Sequence, residues 1–248
     1  MNIVIVGKGT MGSGISRMLK RHGFIPKNIN IRSTIPPATD LLKSIESADL
    51  ILECVAENEA AKFEVLSFCA NRNSKGLIAS CTSSLSINLL QTGVNNPERF
   101  LGIHFMNPPV LIPYVEVIIG DQTSESNVAK ALEWLESIGR IVSFVPDLPG
   151  FAINAILFAM LNRAAYFLEA SQMASGAVDD LLVGVCGHKL GPLATLDLIG
   201  MDVALTILIN LNEREPKLNL PPAPIIKKLV EQGHLGKKSK QGFYTYSS

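Results

Sequence analysis

The chain has 248 residues, of which 47% are hydrophobic, and its 22 basic residues balance its 22 acidic ones. This length allows one large domain or two smaller ones, and the hydrophobic share predicts a globular protein with a large buried core. A net charge of zero gives no electrostatic reason to bind nucleic acid or an anionic membrane, so we expect neither as a partner.

The cysteines and the most apolar stretch favour a cytoplasmic protein. The four cysteines lack C-x-x-C spacing and have no histidine at metal-ligand spacing, so we expect reduced thiols and no metal. An apolar strand pattern begins at once, so we expect no signal peptide. The stretch 151–168 contains two asparagines and an arginine, which predicts a buried helix and not a membrane span.

A glycine-rich turn follows the first apolar run of the chain. Residues 3–6 predict a strand, and glycines then follow in G-x-G-x-x-G spacing before helical periodicity resumes. In a dinucleotide-binding turn these glycines permit a tight turn, the approach of a pyrophosphate and close helix–strand packing. The alternative is a purely structural glycine turn. The residues assigned to cofactor binding here are Gly7, Gly9, Thr10, Met11 and Gly12.

The end of the second predicted strand bears on the choice of nucleotide. About 20 positions past the glycines, an acidic residue binds the ribose 2′-hydroxyl of NAD, whereas an arginine accommodates the 2′-phosphate of NADP. Arg32 occupies that position, Ser33 follows it, and the nearest acidic residue is Asp40. A guanidinium beside hydroxyls is a good phosphate site, so the pattern favours NADP. NAD is the alternative if Arg32 is a solvated loop residue.

Strand and helix patterns alternate over the first part of the chain. This alternation predicts a Rossmann-type α/β fold, a doubly wound and mostly parallel sheet, as a dinucleotide-binding domain over residues 1–147. Helices are predicted between the strands, among them 39–45, 59–71 and 126–138. The predicted strands are 3–6, 29–32, 50–54, 77–80, 100–103, 115–119 and 141–144.

The pattern changes at a proline- and glycine-rich segment near residues 146–150. Residues 148–248 are predicted to form a smaller all-helical domain for substrate binding and dimerisation. The second of its helices is apolar nearly all round, so we predict that a second subunit covers it and that the protein is a homodimer. The predicted helices are 151–173, 177–186, 192–196, 201–211 and 223–232.

A histidine and a glutamate on neighbouring strand patterns are the strongest catalytic candidates. His104 follows an apolar strand, at the sheet edge where α/β proteins bind ligands. Glu116 lies inside the next apolar strand, where an unpaired carboxylate would be costly. If the two meet, the carboxylate fixes the imidazole tautomer and the other ring nitrogen can take a proton from an alcohol. A buried histidine with a satisfied hydrogen bond explains the residue types equally well.

Taken together, the motifs resemble the 3-hydroxyacyl-CoA dehydrogenase family from residue 1 to about residue 246. The resemblance implies an NAD(P)-dependent oxidoreductase of fatty acid metabolism that interconverts 3-hydroxyacyl and 3-oxoacyl thioesters by hydride transfer. The matching stretches, in order along the chain, are GKGTMGSGI, LILECVAEN, TSSLSI, HFMNPP, VEV, PGFAIN, GPLATLDLIGMD and LGKKSKQGFYTY.

The resemblance also assigns roles to individual residues. It implies that His104 is the general base on the substrate 3-hydroxyl and that Glu116 orients it. It implies that Ser83 binds the substrate oxygen and that Asn154, on the first helix of the second domain, helps hold substrate and base. Further residues implied near the cofactor or the substrate are Ser83, Asn107, Glu57 and Lys62.

The sequence departs from the family pattern near the proposed substrate and cofactor. Only about sixteen residues separate Arg32 from Asp49, where the family usually has a long helical arm that helps bind CoA. The carrier could therefore be CoA, an acyl carrier protein or none. Cys81 replaces an asparagine, and we interpret it as a small buried filler. Ala155 stands where an arginine is common, so a local ion pair is absent.

Two other functions remain open from the sequence. One is a β-hydroxyacid dehydrogenase acting on a free acid, which would need a lysine at the start of the second-domain helix. Residues 151–162 contain none. The other is a nucleotide-binding relative without catalysis, which the joint presence of His104, Glu116, Ser83 and Asn154 disfavours.

Overall fold

The computed structural model describes residues 1–30 and 39–247. Arg32 and Ser33, the residues predicted to select the nucleotide, lie outside the described residues. The chain divides into two compact units, Met1–Phe151 and Ala152–Ser248. This division falls just after the proline- and glycine-rich segment in which the sequence pattern changes.

A seven-stranded sheet forms the centre of the first unit, with strand order β2-β1-β3-β4-β5-β6-β7. All neighbouring strands are parallel except β5 and β6, which are antiparallel. The predicted Rossmann-type, mostly parallel sheet is thereby confirmed. The strands are β1 (Ile3–Val6), β2 (Lys27–Ile29), β3 (Leu50–Glu53), β4 (Leu77–Ser80), β5 (Phe100–Phe105), β6 (Tyr114–Ile119) and β7 (Ile141–Val145).

Helices cover both faces of this sheet because the central strands are apolar on both sides. Alternate residues of a strand point to opposite faces, so Ile3 and Ile5 pack in one apolar cluster and Val4 and Val6 in the other. The first cluster includes residues of α1 and α5, and the second includes residues of α2, α3 and α4. These helices are α1 (Thr10–Arg21), α2 (Thr39–Glu46), α3 (Glu59–Arg72), α4 (Ile87–Gln91) and α5 (Glu125–Ser137).

The structure corrects the predicted end of the fifth strand. The sequence predicted that it ends at residue 103, so that His104 would follow it. Instead β5 continues to Phe105, because its antiparallel partner β6 extends the ladder as far as Phe105 opposite Val115. His104 therefore lies inside a strand, where the backbone fixes its direction.

The second unit is built from helices around one apolar cluster. Its first helix begins at Ile153 and not at Phe151 as predicted, because Phe151 has a left-handed backbone with φ 53°. Gly200, at φ 102°, separates two further helices. The helices are α6 (Ile153–Ser171), α7 (Ser175–Cys186), α8 (Pro192–Ile199), α9 (Met201–Arg214) and α10 (Pro224–Glu231).

Two buried aspartates hydrogen-bond residues 243–246 to the helices of this unit. Asp197 accepts hydrogen bonds from the backbone N–H groups of Phe243 and Tyr244 and from the Tyr246 hydroxyl. Asp179 accepts from the Tyr244 hydroxyl and from backbone N–H groups at the start of α8. The final predicted motif, QGFYTY, therefore has a structural role in this unit.

Within the described ranges, no single helix is long and apolar enough to cross a membrane. The pair α8 and α9 meets the length and composition requirement together, but the two helices are bent by 102° at Gly200. Their apolar residues Leu193, Leu196 and Leu208 are buried in the core of the unit.

Candidate active site

The glycine turn after β1 has the close packing that its sequence predicted. A side chain at Gly7, where φ is 120°, would collide with the backbone oxygen of Cys54. A side chain at Gly12 would collide with the backbone oxygen of Gly7. At Gly9, by contrast, a Cβ would meet no atom within 4 Å. Packing thus requires the first and third glycines, whereas the second leaves the backbone open to a ligand.

Helix α1 begins immediately after this turn without a side-chain cap. Its N-cap is Gly9, which makes no side-chain hydrogen bond to the first turn. The first N–H groups of a helix have no partner within the helix, and together with the helix dipole they favour an anion. Thr10 is exposed and Met11 half-buried in this turn. The turn therefore fits a dinucleotide pyrophosphate.

A buried histidine–glutamate pair lies where β5 and β6 are joined. His104 and Glu116 stand directly opposite each other in the antiparallel ladder. His104 Nδ1 lies 2.7 Å from Glu116 Oε2, and the two residues are only 7% and 5% exposed. Because a carboxylate accepts at Nδ1, it selects the tautomer with a proton on that nitrogen. Nε2 is then the ring nitrogen that can receive a proton.

An aromatic side chain that the sequence analysis missed packs on this imidazole. The ring centroids of Phe151 and His104 are 5.6 Å apart, with an angle of 55° between the ring planes. Phe151 is 3% exposed, and its backbone has the left-handed conformation that bulky residues rarely adopt. Its place after Pro149 and Gly150 predicts the start of a helix and gives no signal of this contact. Phe151 therefore restricts the imidazole on one side and shields it from water.

Glu57 organises the loop that carries Ser83. We call residues 82–84, which follow β4, the serine loop. Glu57 Oε1 accepts hydrogen bonds from Thr82 Oγ1 at 2.6 Å and from the backbone N–H groups of Ser83 and Ser84 at 2.9 and 2.8 Å. The Ser84 hydroxyl donates to the same oxygen at 2.9 Å, and Ser83 Oγ lies 3.4 Å away. One carboxylate oxygen thus gathers the donors of the whole loop.

The side chain of Lys62 is buried next to Glu57. Its ammonium lies 2.9 and 3.2 Å from the two Glu53 carboxylate oxygens and 3.3 Å from the Val55 carbonyl oxygen. Glu57 Oε2 is 3.4 Å away, and the Lys62 side chain is 1% exposed. Ser80 Oγ also donates to Glu53, at 2.6 Å. The sequence places Lys62 among the cofactor-binding residues, and its contacts within the chain run to Glu53, Val55 and Glu57.

Charge and hydrogen bonds keep both Glu57 and Lys62 ionised. Burial alone would raise the pKa of Glu57, but the Lys62 charge and the hydrogen bonds from the serine loop outweigh it and lower that pKa. Burial alone would lower the pKa of Lys62, but the charges of Glu53 and Glu57 outweigh it and raise that pKa. The cluster therefore holds two carboxylates around one ammonium.

The remaining predicted residues lie in two places. Asn107 is exposed in the turn that follows β5, three residues after His104. Asn154 is half-buried in the first turn of α6, in the helical unit. Within the first unit, the glycine turn follows β1, the serine loop comes after β4, and His104 is the last but one residue of β5. All three therefore lie towards the carboxyl ends of parallel strands, where open α/β sheets bind ligands.

The cysteines form no disulfide among the described residues. The structure has Cys54, Cys69, Cys81 and Cys186 as free cysteines. Among the residues it describes, there is no group of three or more histidine, cysteine, aspartate or glutamate side chains arranged to hold a metal ion.

The sheet and the glycine turn are those of the class of Rossmann-type dinucleotide-binding proteins, here with a second, helical domain. Two family models match the chain: "3-hydroxyacyl-CoA dehydrogenase, NAD binding domain" over residues 25–147 and "3-hydroxyacyl-CoA dehydrogenase, C-terminal domain" over residues 150–246. The chain therefore belongs to the 3-hydroxyacyl-CoA dehydrogenase family, as its motifs indicated.

Individual relatives match over most of their length. A Bacillus subtilis protein named "Probable 3-hydroxybutyryl-CoA dehydrogenase" is 32% identical, covering 98% of this chain and 96% of that protein. The 3-hydroxybutyryl-CoA dehydrogenase of Bradyrhizobium diazoefficiens is 36% identical, covering 84% and 72%. The crystal structure of (S)-3-hydroxybutyryl-CoA dehydrogenase PaaH1 from Ralstonia eutropha has a TM-score of 0.90 at 28% identity, covering 100% and 99%.

Proposed function

We propose that this protein interconverts a 3-hydroxyacyl and a 3-oxoacyl thioester with a nicotinamide cofactor. The observation that carries the proposal is the contact of 2.7 Å between His104 and Glu116, at the sheet edge that also holds the glycine turn. The relatives named 3-hydroxybutyryl-CoA dehydrogenase support a short acyl chain on CoA. A bound nicotinamide would accept a hydride from the substrate C3 in one direction and return it in the other.

His104 handles the proton of the substrate hydroxyl in this proposal. Nε2 takes the proton as C3 is oxidised and returns it when the 3-oxo group is reduced. Glu116 keeps the proton on Nδ1 in place and stabilises the imidazolium that forms. Burial of both side chains strengthens their attraction and fixes the ring before the substrate arrives.

Hydroxyl and amide groups would support the substrate oxygen. Donors aimed at an oxygen that gains negative charge stabilise the transition state. The family resemblance assigns this contact to Ser83, with Asn154 and Asn107 as further substrate-binding residues. The order imposed on the serine loop by Glu57 supports the assignment of Ser83, because a fixed donor costs no reorganisation.

The glycine turn would hold the cofactor pyrophosphate, and Arg32 with Ser33 would bind the 2′-phosphate of NADP. Gly9→Ala should fold normally, because a Cβ there meets no protein atom within 4 Å, but should weaken cofactor binding. Thermal melting checks that the variant folds, and fluorescence titration with NADH and with NADPH measures the loss of affinity. A more than tenfold preference for NAD(H) in KM would reject the role of Arg32.

The helical unit supports the proposed homodimer. Its exposed apolar side chains include Ile156 on α6, Val185 on α7 and Leu198 on α8, which are 71%, 80% and 58% exposed. Exposed apolar area of this kind is typical of a surface that another protein covers. Size-exclusion chromatography with light scattering at micromolar concentration tests the dimer, and a monomer mass would reject it.

Turnover tests the proposed reaction directly. The full chain is mixed with acetoacetyl-CoA and NADH or NADPH, and the absorbance of the reduced cofactor is followed. We expect turnover by the wild type and its loss in His104→Gln with cofactor affinity kept. Cofactor binding without turnover on any thioester or free acid would instead favour the non-catalytic alternative.

Which carrier bears the acyl group is a separate question, because only about sixteen residues separate Arg32 from Asp49, where the family resemblance implies a helical arm that helps bind CoA. The alignment with the Bacillus subtilis relative spans 280 positions against 248 residues in this chain, so parts of that relative have no counterpart here. Acetoacetyl groups on CoA, on pantetheine and as the free acid should be compared by kcat/KM. A clear preference for the free acid would support the β-hydroxyacid dehydrogenase alternative.

A further inference from the structure

We propose that Glu57 is a positioning residue that presents Ser83 to the substrate oxygen. This inference rests on the proposed function and deepens it. The family resemblance places Glu57 near the cofactor, whereas its contacts in the structure run to the backbone and hydroxyls of the serine loop. Its carboxylate thus acts through Ser83 in addition to any contact that it makes with a cofactor.

The hydrogen bonds reach the loop on both sides of Ser83. Glu57 Oε1 accepts from the hydroxyl of Thr82 and from the N–H and hydroxyl of Ser84, at 2.6, 2.8 and 2.9 Å. Thr82 is 1% exposed, and its Oγ1 accepts in turn from the backbone N–H of Leu85 at 2.9 Å. Because both neighbours of Ser83 are fixed, the direction in which the Ser83 side chain leaves the backbone is fixed as well.

Glu57 also contacts Ser83 itself. The Ser83 hydroxyl oxygen lies 3.4 Å from Glu57 Oε1, whereas the Ser83 N–H donates to Oε1 at 2.9 Å. O–H···O hydrogen bonds are usually 2.5–3.0 Å long. The Ser83 backbone is therefore anchored to Glu57 by a hydrogen bond of ordinary length.

A buried counter-ion keeps the Glu57 carboxylate in one place. Glu57 Oε2 is 3.4 Å from Lys62 Nζ, and Glu53 holds that ammonium from the other side. The Lys62 and Glu53 side chains are 1% and 0% exposed, so the protein interior fixes the ammonium. Lys62 thus determines the position of Glu57, and Glu57 determines the position of the serine loop.

Thr82→Val tests this chain of contacts without touching the carboxylate, the buried lysine or Ser83. It removes the donor to Glu57 Oε1 and the acceptor of the Leu85 N–H, so the loop loses part of what fixes it, and we expect kcat to fall about tenfold. The affinity for NADH should change less than about twofold, since no cofactor contact is lost. Thr82→Ser keeps the hydroxyl and should restore kcat.

A double-mutant cycle separates positioning from a merely structural effect. If Thr82 and Glu57 act through Ser83, then Thr82→Val should lower kcat no further in a Ser83→Ala background. Glu59→Gln, at an exposed position in the first turn of α3, is the matched control for a nearby change and should leave kcat as in wild type. Thermal melting of each variant identifies any that fail to fold.

The outcomes distinguish this inference from the proposed function. Wild-type turnover with an equal loss from Thr82→Val in both backgrounds would overturn the positioning role and leave the reaction intact. Unchanged kcat in Thr82→Val and Glu57→Gln would overturn it as well. Absence of wild-type turnover would instead reject the proposed function itself.

Discussion

Two carboxylates hold candidate site residues in place in this protein, and they do so by different means. Glu116 meets His104 because two strands pair in a fixed register. Glu57 meets the serine loop because one oxygen gathers donors from consecutive residues, while a buried lysine holds the carboxylate. The first arrangement depends on the sheet alone. The second depends on a loop, a helix and a counter-ion together, so more substitutions can disturb it.

The strand-fixed pair should show the largest effect on catalysis. Glu116→Gln keeps the shape of the side chain but replaces the anion that holds Nδ1–H and stabilises the imidazolium. We expect kcat to fall on the order of 10³-fold, since removal of such a partner in other enzymes costs up to about 10⁴. Steady-state kinetics measures the loss. A tenfold effect or less would mean that Glu116 is a structural partner only.

The loop-fixed arrangement should show its largest effect in stability. Lys62→Met leaves Glu53 buried without its counter-ion, and breaking a buried pair in this way costs about 3–5 kcal/mol. Urea denaturation measures the free energy of unfolding. Glu53→Gln combined with Lys62→Met removes both charges and should recover part of that loss. If Lys62→Met is as stable as wild type, the pair does not hold the loop in the way described.

Phe151 should have a moderate effect on turnover. Phe151→Leu keeps an apolar side chain but removes the ring beside the imidazole, and we expect kcat to fall several-fold. A matched control is Phe158→Leu, since Phe158 is 2% exposed in the core of the helical unit. Both changes should lower the melting temperature, but only Phe151→Leu should lower kcat. Equal kcat values in the two variants would show that Phe151 does not contribute to turnover.

The smallest expected effect is the pH dependence that Glu57 confers. Its pKa in the folded protein is lowered from the ordinary value of 4.5, so it contributes stability above that pH. This contribution is lost as the pH falls through the lowered folded value. The stability difference between wild type and Glu57→Gln should therefore be constant above about pH 5 and shrink below it. Urea midpoints across this range test the sign, and a difference that grows on acidification would contradict it.

The sequence predicted the first arrangement better than the second for a physical reason. An apolar strand with a glutamate in it implies a buried partner, and two adjacent strand patterns supplied His104 for Glu116. The same reasoning applies to Glu53, which also lies in an apolar strand, and it predicts a buried partner for that carboxylate. In the structure this partner is Lys62. Lys62 was instead assigned by resemblance, because periodicity places a lysine on the exposed side of a helix.

Backbone geometry was the other part that the sequence did not predict. Residues 149–151 read as a turn leading into a helix, and neither composition nor spacing shows that Phe151 adopts a left-handed conformation against His104. The end of β5 was missed for a similar reason, because the antiparallel ladder with β6 extends it beyond the apolar run. Tertiary contacts that override local preference determine both features.

The most direct test of the central claim is the kcat of the double variant His104→Gln, Glu116→Gln beside the two single variants. If the histidine moves the proton and the glutamate acts only through it, the double variant should be no slower than His104→Gln alone. Full activity in His104→Gln, or losses that multiply in the double variant, would contradict a single proton-transferring unit.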